Sequence, residues 1–174
     1  MFLRNYKRVV LTFLNKIRFL NVPKTSSISL WSKVHRSIKV GNYVYIGPRS
    51  LIYPNVSIGD YTMLANNVQV IGGDHYYRKV GVPIQFSGRD ALQPTTIGKD
   101  VWVGANVIIM CGVHIGDGSI IAAGSVVTKS LAPNSICAGV PAKKIKNRFS
   151  EDEFKIHLQK IDSNISINYA KKLL

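Results

Sequence analysis

Residues 97–131 read IGKDVWVGANVIIMCGVHIGDGSIIAAGSVVTKSL, and they count in sixes. Ile97, Val103, Ile109, Ile115, Ile121 and Val127 are aliphatic at intervals of six, and Gly98, Gly104, Gly116 and Ala122 follow four of them. Four places after each aliphatic stand Val101, Val107, Val113, Ser119, Ser125 and Leu131. A fixed period dictates architecture before any local structure is assigned. Six fits neither the 3.6-residue turn of a helix nor plain two-residue alternation. It fits an all-β solenoid of very short strands, each followed by a tight turn.

The same rule runs upstream through Val40, Ile46, Ile52, Ile58, Leu64 and Val70, with Gly41, Gly47, Gly59 and Ala65 as the small followers. Small residues at the turns let strand follow strand without Cβ clashes, and Gly or Asn there tolerates positive φ. From Val70 to Ile97 the interval is 27, which is not a multiple of six. The interruption contains Gly72-Gly73-Asp74-His75-Tyr76-Tyr77-Arg78-Lys79, then Val82-Pro83 and Ser87-Gly88-Arg89. Polar, glycine-containing and aromatic, it is expected to leave the solenoid as a loop over 72–95. Loops held on a rigid scaffold are where chemistry tends to sit.

The flanks read differently. Phe2, Leu3, Tyr6, Val9, Val10, Phe13, Leu14, Ile17 and Leu20 follow the spacing of one apolar helical face, with Arg4, Lys7, Arg8 and Arg18 mainly off it. Such a helix either covers the open end of a solenoid, packs on another subunit, or lies on an anionic membrane. At the other end, Ser150 with Glu153 makes a capping box, and Phe149 with Phe154 is placed as a hydrophobic staple. The stripe Phe154, Leu158, Ile161, Ile165 then predicts a C-terminal helix from near Glu151. The organisation expected is an N-terminal helix and connector over 1–27, the solenoid over 28–148, and a helical extension over 149–174.

The net charge is +14 over 174 residues. Ten Lys or Arg precede Asp60 with no acidic residue among them, so the positive field is concentrated at the N-terminal end. It would attract phosphorylated ligands or anionic lipid. No nucleic-acid recognition motif accompanies it, so nucleic acid is not an expected partner. Two cysteines, Cys111 and Cys137, make no disulfide framework. No run reaches membrane-spanning length, and Lys16 and Arg18 break the N-terminal apolar run as a signal core. The expectation is a cytoplasmic protein, with peripheral contact at the inner membrane face as the extension of the basic helix.

The repeat resembles that of the hexapeptide-repeat acyltransferases. Gly124-Ser125-Val126-Val127-Thr128-Lys129 with Ala138-Gly139-Val140-Pro141-Ala142-Lys143 is close to the closing signature of the galactoside and maltose acetyltransferases. The loop and ends look more like bacterial polysaccharide and sugar O-acetyltransferases. The resemblance implies a left-handed parallel β-helix of about five coils. It further implies a homotrimer with active sites between subunits, and acetyl-CoA as co-substrate. The reaction implied is O-acetylation of a sugar hydroxyl in a surface polysaccharide or its precursor, without a covalent enzyme intermediate. The rivals are another small acceptor (a nucleotide-linked amino sugar, serine or an antibiotic) and a non-catalytic basic solenoid on an anionic membrane.

Such transfer needs a base for the attacking hydroxyl and donors for the developing oxyanion. Of His35, His75, His114 and His157, only His75 stands in the loop, which is where the family keeps its base. Asp74 is a candidate to orient its ring. Positions matching the family's coenzyme A contacts are Trp102, Gly104, Ala105, Ala123, Thr128, Lys129, Lys143 and Lys146. Small residues there would admit the pantetheine arm, and the lysines would offer charge to phosphates. Trp102 reads equally as repeat-edge packing, and the lysines as a solvated face. Weaker candidates for the acceptor are Tyr45, Tyr76, Tyr77 and Arg78; Tyr45 falls where galactoside acetyltransferase carries an acceptor-binding asparagine. The related γ-class carbonic anhydrases need a closely spaced histidine pair for zinc, and Tyr76 to Val80 supply none, so no metal is expected.

Overall fold

The computed structural model describes residues 22–163. Its strands are short and come three to a coil. The first coil holds β1 (Ser27–Ile28), β2 (Lys33–Val34) and β3 (Lys39–Val40). The second holds β4 (Tyr45–Ile46), β5 (Leu51–Ile52) and β6 (Val56–Ile58). The third holds β7 (Met63–Leu64), β8 (Gln69–Ile71) and β9 (Thr95–Ile97), with the loop between the last two. The fourth holds β10 (Trp102–Val103), β11 (Ile108–Met110) and β12 (His114–Ile115). The fifth holds β13 (Ile120–Ile121), β14 (Val126–Val127) and a single parallel bridge from Leu131 to Ile115.

Every third strand stacks on the last, giving three parallel faces. The first is β1-β4-β7-β10-β13, the second β2-β5-β8-β11-β14, the third β3-β6-β9-β12. Pairing is in register throughout: Tyr45 faces Met63, Met63 faces Trp102, and Trp102 faces Ile120. Three in-register parallel faces are typical of a left-handed β-helix, and the five coils match the expected number.

The aliphatic of each hexad points inward. Ile46, Leu64, Val103, Ile52, Val70, Ile109, Ile115 and Val127 are buried, and one continuous column of such residues makes the core. The position four places on also turns inward, which explains its tolerance for Ser and Thr. Thr62 Oγ1 donates to Gly98 O at 2.7 Å and accepts from Val101 N at 3.1 Å, so one hydroxyl satisfies two backbone groups at a corner.

The small residue after the aliphatic is required by stacking. A methyl on Gly59 would lie 2.7 Å from Gly98 C, and one on Gly104 2.6 Å from Ala123 N. Positive φ falls elsewhere than expected, three places after the aliphatic. Asn55, Asn67, Asn106 and Gly112 occupy that slot, but so do Tyr43, Arg49, Tyr61 and Asp100. The Tyr43 and Tyr61 rings stack at 5.4 Å, packing that offsets part of the left-handed strain.

Beyond Leu131 the solenoid does not stop, as the closing signature had suggested. β15 (Ser135–Gly139) stacks on β13 with Cys137 in the core, and β16 (Ala142–Asn147) returns antiparallel beside it. Helix α1 (Glu151–Asp162) follows, with the expected capping box at Ser150 and Glu153. Phe154, Leu158 and Ile161 lie on its half-buried side. The staple pair does different work: Phe149 packs on the His157 ring at 4.9 Å, and Phe154 lies over Gly118. Asp100 clasps the helix to the corner, accepting from Arg148 Nη1 at 2.7 Å and lying 2.8 Å from His157 Nε2. The proposed helix over 2–20 and Ile165 lie outside the described residues. No helix among the described residues is long and apolar enough to cross a membrane.

Ile109 sits wholly buried at mid-column. Ile109→Ala should lower unfolding stability by about 2–5 kcal/mol in urea titration, since the flanking coils, bonded above and below, cannot collapse into the gap.

Candidate active site

The count of six fails at the corner between the second and third faces. β8 ends at Ile71, and Gly72 tucks under the next coil, where a methyl would run into Cys111 Sγ and lie 2.7 Å from its Cβ. Gly73, at φ 72°, turns the chain outward. The loop is two antiparallel arms. His75 pairs with Arg89, Tyr76 N donates to Gly88 O at 3.1 Å, and Asp90 N donates to Asp74 O at 3.1 Å. Arg89 Nη1 also reaches Gly73 O at 3.1 Å. The returning arm is moored by Asn55 Nδ2 donating to Leu92 O at 3.2 Å. A 3-10 turn, Ile84–Phe86, lies beyond the paired arms, with Val80 and Phe86 exposed.

His75 is half-buried at the root of these arms. Its Nδ1 is closed off from solvent and has no hydrogen-bond partner among the described residues. An unpartnered buried nitrogen is costly. Asp74, the candidate orienting residue, is exposed, and its carboxylate forms no hydrogen bond to the ring. Of the other histidines, His35 Nδ1 meets Ser37 Oγ at 2.9 Å and His157 binds Asp100, while His114 stands exposed on the third face, away from the loop. Burial raises the Cys137 thiol above its ordinary range, with Lys144 offsetting part of the rise, which keeps it in the unreactive form.

The remaining sequence-derived residues fall into two groups. Tyr76, Tyr77, Arg78, Thr128 and Lys129 share the second corner with His75 and are exposed. Arg78 lies over the Tyr77 ring at 5.4 Å and donates to its hydroxyl at 3.3 Å. Tyr45 and Trp102 stand outward on the first face, with Ala105 and Ala123 at its corner with the second. Lys143 and Lys146 are exposed on β16, at the far end of the first face. Gly104 is buried beneath Ala123, so coil stacking alone accounts for glycine there, while Ala105 and Ala123 are the accessible small residues. One chain therefore does not gather the two groups, which the second face separates. Arg89, Gly72 and Cys111 were not singled out as site residues. The doublet Gly72-Gly73 answered by Gly88-Arg89 was the available signal for a two-armed loop.

A family model described as bacterial transferase hexapeptide (six repeats) matches residues 37–72 and 94–129, leaving out the loop. A probable macrolide acetyltransferase of Lysinibacillus sphaericus is 38% identical over 133 residues, 68% of this chain and 71% of that protein. The chain belongs to the hexapeptide-repeat acetyltransferase family. The galactoside O-acetyltransferase of Escherichia coli (strain K12) is 43% identical over 102 residues, 56% of this chain and 47% of that enzyme. The chain thus spans about half the length of that relative. A galactoside acetyltransferase solved in complex with coenzyme A superimposes with a TM-score of 0.68 at 28% identity, covering 85% of this chain and 82% of that one.

The fit of Gly72 under Cys111 sets where His75 stands. Gly72→Ala should cut thiol release from acetyl-CoA by about tenfold through displacement of the loop root. Adding Cys111→Gly, which removes both colliding atoms, should restore most of it.

Proposed function

We propose that the protein is an acetyl-CoA-dependent O-acetyltransferase acting on a hydroxyl of a carbohydrate, in a surface polysaccharide or its precursor. The observation that carries the reading is His75, alone in the loop where the repeat breaks, with Nδ1 closed off and Nε2 left to meet an acceptor. Nε2 takes the proton of the acceptor hydroxyl as its oxygen attacks the thioester carbonyl. The negative charge on the carbonyl oxygen is met by backbone N–H groups, since Ala105 offers no hydroxyl. Collapse expels the thiolate of coenzyme A, and the imidazolium returns the proton to sulfur. No covalent enzyme intermediate is needed, and the buried Cys137 is unsuited to form one.

A homotrimer with sites between subunits belongs to the same reading. It is supported by the division of the candidate residues over two sides of one chain. Lys129, Lys143 and Lys146 would face phosphates of coenzyme A, while Trp102, Ala105, Ala123 and Thr128 would line its arm. Peripheral contact of the basic N-terminal stretch with anionic membrane would bring the enzyme to lipid-linked acceptor. A second reading is an antibiotic acceptor, favoured by the 38% identity to a probable macrolide acetyltransferase. The exposed Tyr77, Val80 and Phe86 of the loop would suit such an apolar ligand.

Acceptors from both classes, sugars and macrolides, should be screened for thiol release from acetyl-CoA. His75→Ala should lower kcat by about 10²–10⁴-fold with little change in the KM for acetyl-CoA. A variant that kept wild-type turnover would remove His75 as the base.

A further inference from the structure

The outward side chains of the second and third faces differ in kind. On the third face they are Lys39, Ser57, Thr96 and His114, all polar, as suits a face left to water. On the second they are Lys33, Leu51, Gln69, Ile108 and Val126, paired in register from coil to coil. Its upper coils thus present bare β-branched aliphatics, the composition of a surface that another surface covers. In the homotrimer proposed above, the His75 corner of one subunit meets the Ala105 and Ala123 corner of the next. The second face lies between those corners, so it turns to the three-fold axis, and each outward residue becomes a ring of three. The rings follow one another at the ~4.8 Å spacing of the coils. Leu51, Ile108 and Val126 make apolar rings, and Gln69 makes one whose amides can bond to each other. Lys33 makes a ring of three ammonium groups in the first coil.

That ring has no counter-charge in the protein. No acidic residue precedes Asp60, so neither the first two coils nor the chain before them carries a carboxylate. Asp60, Asp100 and Asp117 stand at the corner opposite the second face, and Asp74 and Asp90 leave with the loop two coils above. Lys33 forms no ion pair among the described residues. Two hollows, about 350 and 380 Å³, flank it on the face, and no acidic side chain lines either. Arg49 lines the first and adds to the positive field. Like charges brought together on an axis, partly out of water, repel one another, and a bound anion removes that cost.

We propose that the first coils of the trimer hold one oxyanion on the three-fold axis, a phosphate group bound by Lys33 of each subunit. Phosphate has three-fold symmetry of its own, so three of its oxygens each take one ammonium in the same geometry. The hollows leave room for the ion and its water, and the Leu51 ring closes the site toward the apolar rings above. The site lies apart from acetyl transfer and steadies the assembly that would carry it. The inference rests on the homotrimer reading, though not on His75 or on the choice of acceptor.

The test is equilibrium dialysis of the full chain against radiolabelled phosphate in chloride at fixed ionic strength, with oligomeric state read by sedimentation. Binding should saturate at about one phosphate per three chains, the ratio an axial site requires. Lys33→Gln should stay trimeric and bind at least about tenfold more weakly. Without phosphate, Lys33→Leu should raise the unfolding midpoint, because three like charges leave the axis. His75→Ala should bind as the parent does, and coenzyme A should not displace the label. Displacement by phosphatidic acid vesicles and not by phosphatidylcholine would name a lipid headgroup as the source of the phosphate; no displacement would name the free ion. A trimer with no saturable binding, with one phosphate or more per chain, or with Lys33→Gln equal to the parent would overturn the site and leave the homotrimer standing. So would a lower midpoint for Lys33→Leu, or loss of the label to coenzyme A or to His75→Ala. A monomer in sedimentation would overturn the homotrimer first, and the site with it.

Discussion

One distance governs this molecule: the ~4.8 Å between successive coils that backbone hydrogen bonding imposes. At the corners the chain must pass over itself at that spacing, and nothing larger than a proton or a small side chain fits between. Gly59 under Gly98 and Gly104 under Ala123 are direct outcomes. The sixfold period, the flat faces and the single column of aliphatics all follow, because each strand must return to the same place one coil later. An insertion can leave only at a corner, and only if its root still clears the coil above. Gly72 beneath Cys111 meets that condition.

Much of this was legible in residues alone because the constraint acts on every sixth position and so repeats itself. The period, the coil number, the break after Val70 and the cap at Ser150 were all readable. Features that depend on contacts far apart in sequence were not. The hairpin of β15 and β16 hides within a signature read as an ending, because its apolar residues, Ile136 and Cys137, continue the stack without the sixfold spacing. Positive φ at Tyr43, Arg49, Tyr61 and Asp100 was missed because the corner geometry, not residue preference, decides it there.

The site was legible in part. His75 stood out as a candidate because it lies where the count fails, but its bridge to Arg89 needs the second arm of the loop, fourteen positions downstream by sequence. Adjacent Asp74 looked like a partner by proximity, yet in extended backbone neighbours point apart, and its carboxylate stays exposed. The family positions for coenzyme A divide between the first face and the second corner, a separation that linear spacing conceals. Asp100, one residue serving both Arg148 and His157, is likewise invisible until the helix is seen to fold back on the third corner.

The returning strand β16 has a consequence for solubility. A stack of parallel strands has an open end whose unpaired N–H and C=O groups would template a further copy, and repetition of that event makes a fibril. Here β15 is covered by a strand of opposite direction carrying Lys143, Lys144 and Lys146, all exposed. A parallel coil from another molecule would meet the wrong polarity and three like charges, so growth in that direction ends with the chain's own turn.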